Sequence, residues 1–160
     1  MEITIIATGR NDGYGGYLEF RAENCLTSLI ENYDEVIYVD WCSPDEISLI
    51  EELDLPFKGN LKHIKISPSD VEKLNPEALK IPMCEVLAKN IAMRRASKDW
   101  IVSSAIDLIS RPPHIENPDK DILYAVRRRE LPINVFTEQM PLENSVEWLE
   151  QTKDNYYQVP

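Results

Sequence analysis

The chain has 160 residues, 43% of them hydrophobic and 28% charged, with a formal net charge of −11. One domain with a substantial core is expected at that length, and the acidic balance argues against a binder of the phosphate backbone of nucleic acid, which needs a basic surface. It does not exclude a nucleotide, which a few backbone donors and one metal can hold.

Glu2 to Thr8 is a β-branched run without internal charge, as a buried central strand requires. It leads into GRNDGYGG, a loop marked by Gly9, Gly13, Gly15 and Gly16. No Gly-Lys-Ser/Thr follows, and Leu18 stands where a third fingerprint glycine would be, so this is neither a Walker loop nor a dinucleotide fingerprint. Leu18, Ala22, Cys25, Leu26, Leu29 and Ile30 recur at helical spacing and predict an amphipathic helix over 17–32. Arg21 lies near its start, where a solvated surface charge is the simplest role. EVIYVDW, Glu35 to Trp41, reads as a second strand carrying Asp40 near its end. Ser43 or Asp45 then caps a helix expected over Ile47 to Leu53.

Leu61 to Ile66 reads as a third strand, and Ser67 to Leu79, with two prolines, as a loop with room for one helical turn. The stretch from Ile81 to Ser110 is expected to form helix, turn and strand. Met83, Leu87, Asn90, Ile91 and Arg94 share one helix face, and Ala88, Ala92 and Ala96 beside it allow close approach to a sheet. Lys98 and Asp99 make a turn, Trp100 to Ile106 a fourth strand, and Asp107 stands at its end. Arg111 to Asp121 is a surface connection. Ile122 to Val126 is a fifth strand candidate, followed by Arg127, Arg128 and Arg129. Pro141 to Gln151 is expected to be helical, and DNYYQVP to be a tail.

Strands alternating with helices predict an α/β fold, a mostly parallel central sheet with helices on both faces. Ligands in such sheets bind outside the carboxyl ends of the strands. Asn11 and Asp12, Asp40, and Asp107 come from three strand ends and converge on that edge. The alternative for Asp107 is a helix cap, and for Asp40 and Asp45 simple turn formation.

No apolar run approaches the roughly twenty residues of a membrane span. The start, MEITIIATGRN, has no basic leader, so no signal peptide is expected. Cys25, Cys42 and Cys84 are odd in number and widely spaced, which suits a reducing compartment and a cytoplasmic protein.

Taken together, these segments resemble a family 2-type glycosyltransferase with the GT-A fold. The resemblance runs from Ile3 to about Arg128 and rests on four features: the strand leading into TGRND, EVIYVDWCSPD, AKNIAMRRASKDWIV, and AID at 105 to 107 in the place of an Asp-x-Asp motif. It implies that Thr8, Gly9, Arg10, Asn11 and Asp12 lie against the nucleotide and that Asp40 accepts a hydrogen bond from the base. Asn90 and Arg94 would face the diphosphate or brace the metal loop. Asp107 would bind a divalent cation, Mn²⁺ or Mg²⁺.

The implied activity is transfer of a sugar from a nucleoside diphosphate donor, UDP-linked, to an unknown acceptor with inversion. Two departures stand out. Ala105 occupies the first Asp position, and only Leu131 to Pro160 remains for the acceptor side. Glu138 is the candidate base there, its alternative a surface carboxylate. A homodimer is expected if the short C-terminal part leaves apolar surface uncovered. The alternative to an enzyme is a non-catalytic module of the same fold that binds a nucleotide sugar or a partner and lacks a complete acceptor site. A nucleotidyltransferase is more remote, since no Gly-rich Arg/Lys signature is present.

Overall fold

A computed structural model describes residues 1–44 and 47–126, together with the backbone of 156–158. The chain forms two compact units, Met1–Pro112 and Pro113–Pro160. The first is α/β. Its strands are β1 (Ile3–Gly9), β2 (Glu35–Trp41), β3 (Leu61–Ile66) and β4 (Trp100–Ser103). They pair in the order β3-β2-β1-β4, all parallel. Every residue of β1 and β2 is buried, because these central strands have a layer of side chains on each face.

The alternation of the pleat divides the core in two. Ile3, Ile5 and Ala7 of β1 and Val36 and Tyr38 of β2 meet Leu18, Ala22, Cys25, Leu26 and Leu29 of helix α1 (Leu18–Asn32). On the other face Ile6, Ile37, Val39 and Trp41 meet helix α2 (Pro68–Leu74), through Val71, and helix α3 (Glu85–Met93), through Ala88 and Ala92. Methyl side chains at both α3 positions let the helix lie close to the sheet. Asn90 and Arg94 of this helix and its C-cap are exposed.

Connections in a parallel sheet fix which end of each helix meets which edge. Helix α1 leaves the carboxyl end of β1 and returns to the amino end of β2, where Asp34 accepts a hydrogen bond from the Ile3 N–H at 2.8 Å. Helix α3 likewise returns the chain to the start of β4. Its last turn is followed by Ser97, which bonds Glu35 at the start of β2.

Four expectations are corrected. The segment 47–53 is not an α-helix but a 3-10 turn, Leu49–Glu51, because the run is short and Pro56 follows closely. Ser67 to Leu79 is more ordered than a loop: a Ser67–Asp70 capping box opens α2, and Pro76–Lys80 forms a 3-10 turn. Both prolines stand at the first turn of an element, where the missing N–H is harmless. Strand β4 ends at Ser103, so Asp107 lies in a turn beyond it, closed by Leu108 N–H to Ala105 O at 3.3 Å. The fifth strand does not extend the parallel sheet. β5 (Tyr124–Val126) pairs antiparallel with β6 (Tyr156–Gln158), formed where a tail is expected. Glu138, the triple arginine, Asp45 and the helix expected at 141–151 lie outside the described residues.

Candidate functional site

The carboxyl ends of β1 and β2 lie side by side, with Gly9 opposite Asp40 in register. Gly9 is required there by space. A Cβ at this position would lie 3.0 Å from the Tyr38 hydroxyl and 3.1 Å from Ile106 Cβ. Ile106 adjoins Asp107, so the edge brings the end of β2, the loop after β1 and the turn after β4 together, as their strand order demands.

Asp40 is fully buried. Ser43 donates its hydroxyl to Asp40 Oδ1, and Asn11 donates its backbone N–H to Ser43 Oγ at 2.8 Å. The serine thus ties the loop after β1 to the carboxylate. Cys42, between them, takes φ 52, and this left-handed residue turns the chain back so that Ser43 reaches Asp40. Asp40 Oδ2, the Tyr38 hydroxyl and Thr8 Oγ1 make no bond of full hydrogen-bond geometry among the described residues, but the Tyr38 hydroxyl stands close enough to the Asp40 carboxylate to interact with it. Burial raises the pKa of Asp40, against the pull of Ser43, His63 and Lys65. The same burial, with Asp40 nearby, raises Tyr38. His63 stacks on Tyr38 with ring centroids 5.7 Å apart, and its Nε2 lies 3.0 Å from Ser48 Oγ.

The rest of the loop is held by its own side chains. Arg10 pairs with Asp12 at 3.5 Å and donates to the Pro82 carbonyl ahead of α3. Asn11 Nδ2 donates to Glu52 at 2.8 Å. Asp12 Oδ1 accepts from the Tyr14 N–H at 3.1 Å. Gly13, Gly15, Gly16 and Tyr17 all have positive φ.

Arg21 closes that loop onto the third strand end. Its Nη1 donates to Asp107 Oδ2 at 2.9 Å, its Nε to Gly16 O at 3.1 Å, and its Nη2 to Tyr14 O. The side chain is only 15% exposed, so the solvated charge expected at Arg21 is instead a partly buried clamp. Sequence reasoning had no signal for it, since the two residues are 86 positions apart. Behind Asp107, the Cys25 thiol donates to Leu108 O at 3.1 Å, and burial pushes its pKa up to about 12.

Thr8, Gly9, Arg10, Asn11, Asp12, Asp40 and Asp107 therefore gather at one edge. Asn90 and Arg94 stand apart from them. Arg94 donates to Asn90 Oδ1 at 2.9 Å on the outer side of α3, toward the end that leads to Ser97 and the amino edge.

A divalent cation at Asp107 would draw one or two carboxylates from the protein and its remaining ligands from water and substrate phosphates. Asp107 has a guanidinium in contact, Ala105 has no ligand atom in its side chain, and no group of three His, Cys, Asp or Glu side chains among the described residues could hold a metal. Among those residues no helix is long and apolar enough to cross a membrane. No family model matches the chain, and no curated protein or solved structure matches it.

Proposed function

We propose that the chain is a GT-A-type nucleotide-diphospho-sugar-binding domain acting as a glycosyltransferase on a uridine-linked donor in the cytoplasm. The four-stranded parallel sheet and the meeting of the β1 loop with Asp40 support this reading. The observation that carries it is the Asp40 carboxylate, buried at a strand end with Oδ2 short of full hydrogen-bond geometry and only the Tyr38 hydroxyl beside the group besides Ser43. A buried polar atom left without a partner destabilises the fold, and such atoms concentrate where a ligand supplies the missing partner. The N3–H of uracil is a donor of the required kind. Reaching it requires the loop after β1, held through Ser43 and by the bonds of Arg10, Asn11 and Arg21, to move aside.

In the proposed reaction an acceptor hydroxyl loses its proton to a carboxylate, for which Glu138 is the candidate. Its oxygen then attacks the anomeric carbon as the bond to the diphosphate breaks, inverting that centre. A second reading, a binding module without transferase activity, is favoured by Ala105 and by the commitment of Asp107 to Arg21. Calorimetry with UDP, CDP, GDP and ADP tests the binding that both readings share. UDP should bind best, and Asp40→Ala should erode its preference over CDP by about tenfold or more. Equal affinities for all four in the wild type would end the uridine reading. Hydrolysis or transfer assays with UDP-sugars separate the enzyme from the module.

A further inference from the structure

We propose that Arg21, rather than a cation held by Asp107, supplies the positive charge for a diphosphate group at the carboxyl edge of this sheet. The inference rests on the nucleotide reading for the identity of the anion, though its test does not need a nucleotide.

The geometry assigns Asp107 to Arg21. One carboxylate oxygen is in contact with a guanidinium that is mostly buried and held from three directions. A cation at the same oxygen would stand against that fixed positive charge, and Ala105 offers no side-chain ligand on the other side. Arg21 also stands at the carboxyl edge, the side of such sheets on which ligands bind. It belongs to the first turns of α1 and grips the carbonyls of Tyr14 and Gly16 in the loop that follows β1. A guanidinium has five N–H donors in a planar fork. Three engage Asp107, Gly16 and Tyr14, and the remaining N–H groups make no bond among the described residues. A diphosphate oxygen can accept these without breaking the clamp. Asp107 then acts as a positioning residue that orients the fork.

The two roles for Asp107 predict opposite effects of one substitution. If Asp107 ligates a cation, Asp107→Asn removes anion binding. If Asp107 only orients Arg21, Asp107→Asn keeps the side chain's shape and removes a negative charge beside the anion. Affinity should then hold or rise, by up to about tenfold.

The experiment is calorimetry with inorganic pyrophosphate in the presence of EDTA, on wild type, Asp107→Asn, Arg21→Lys and Arg21→Gln. Each variant is also melted to confirm folding. A separate titration with Mn²⁺ alone follows paramagnetic broadening of amide resonances at residues 105 to 108. Pyrophosphate should bind the wild type without metal, bind Asp107→Asn at least as tightly, and lose about tenfold or more in Arg21→Gln. Arg21→Lys should fall between, because it keeps the charge and loses the fork. No saturable broadening by Mn²⁺ should appear. Failure of pyrophosphate to bind in EDTA overturns the proposal. So does loss of binding in folded Asp107→Asn, or saturable Mn²⁺ broadening that this substitution abolishes. Pyrophosphate binding through Arg21 with no preference among nucleoside diphosphates would leave Arg21 in place and end the uridine reading alone.

Discussion

Glu35 and Ser97, 62 residues apart, are joined by two hydrogen bonds: the Ser97 N–H to Oε2 at 2.8 Å and the Ser97 hydroxyl to Oε1 at 2.9 Å. Thr4 and Lys62 donate to the same carboxylate. One side chain therefore links β1, β2, β3 and the turn into β4 at the amino edge, opposite the candidate site. Burial alone would raise the Glu35 pKa. The bonds from Lys62, Thr4 and Ser97 outweigh it and hold the group at about 2. With the folded value below the ordinary one, the stabilisation is present above the unfolded pKa and is lost as pH falls through the folded one. The window is thus from about pH 4.5 down to about pH 2. Glu35→Gln should lower stability by about 1–3 kcal/mol at pH 7, the range for hydrogen bonds to a charged group. The gap from wild type should narrow across that acid window. Urea melts at pH 7, 4 and 2.5 check this, and a gap independent of pH would show that the charge contributes nothing.

A second prediction concerns Gly9. Its φ is not in the left-handed region, so an alanine there meets no backbone strain, only the Tyr38 hydroxyl and Ile106. Both neighbours are buried and cannot swing away. Gly9→Ala should destabilise by about 1–3 kcal/mol, the usual range for overpacking. Gly13→Ala is the contrast: nothing lies within 4 Å of its Cβ, but its φ is +69. Its penalty is one of backbone conformation, about 1 kcal/mol. Thermal melts of the two variants should rank them in that order, and a Gly9→Ala protein as stable as wild type would mean that the three strand ends do not pack as described.

The central sheet was legible because β1 and β2 are β-branched runs without internal charge, buried on both faces, and no helix pattern competes with them. Their carboxyl ends followed from alternation alone, which is why Asn11, Asp12 and Asp40 could be placed at one edge. Helix α2 was hidden because Pro68 and Pro76 read as breakers until their positions at the starts of elements were known. The direction of α3 was available in principle: a helix leading into the amino end of a parallel strand carries its last turn away from the carboxyl edge, and Arg94 with it. The Arg21–Asp107 clamp left no trace in composition or spacing. Contacts at that separation are set by the packing of α1 beside the turn after β4, and local pattern does not encode them.

The last prediction uses the buried state of Asp40 to separate its binding role from its effect on stability. Burial raises its pKa above that of an exposed aspartate. The sign is opposite to that of Glu35: its contribution is fully favourable only below the unfolded pKa and is lost as pH rises through the folded one. Where it is ionised, the buried carboxylate therefore destabilises the domain. Asp40→Asn removes the charge, keeps the shape and leaves an oxygen to accept from Ser43. It should raise the melting temperature at pH 7 to 8 by a few degrees, the shift about 1 kcal/mol produces in a domain this size. The gain should shrink as the pH falls and protonation progressively removes the Asp40 charge. Binding should move the other way. The amide presents a donor where the carboxylate presented an acceptor, so the proposed uracil N3–H loses its partner while cytosine N3 gains one. UDP affinity should fall and CDP affinity rise, inverting their order. In the wild type, UDP affinity should weaken on acidification at a pH above the ordinary aspartate range, since protonation removes the acceptor. Melts and nucleotide titrations of the same two proteins across pH 4 to 8 decide it. A variant less stable than wild type at pH 8, with the order of UDP and CDP unchanged, would identify Asp40 as a structural partner of Ser43 and nothing more.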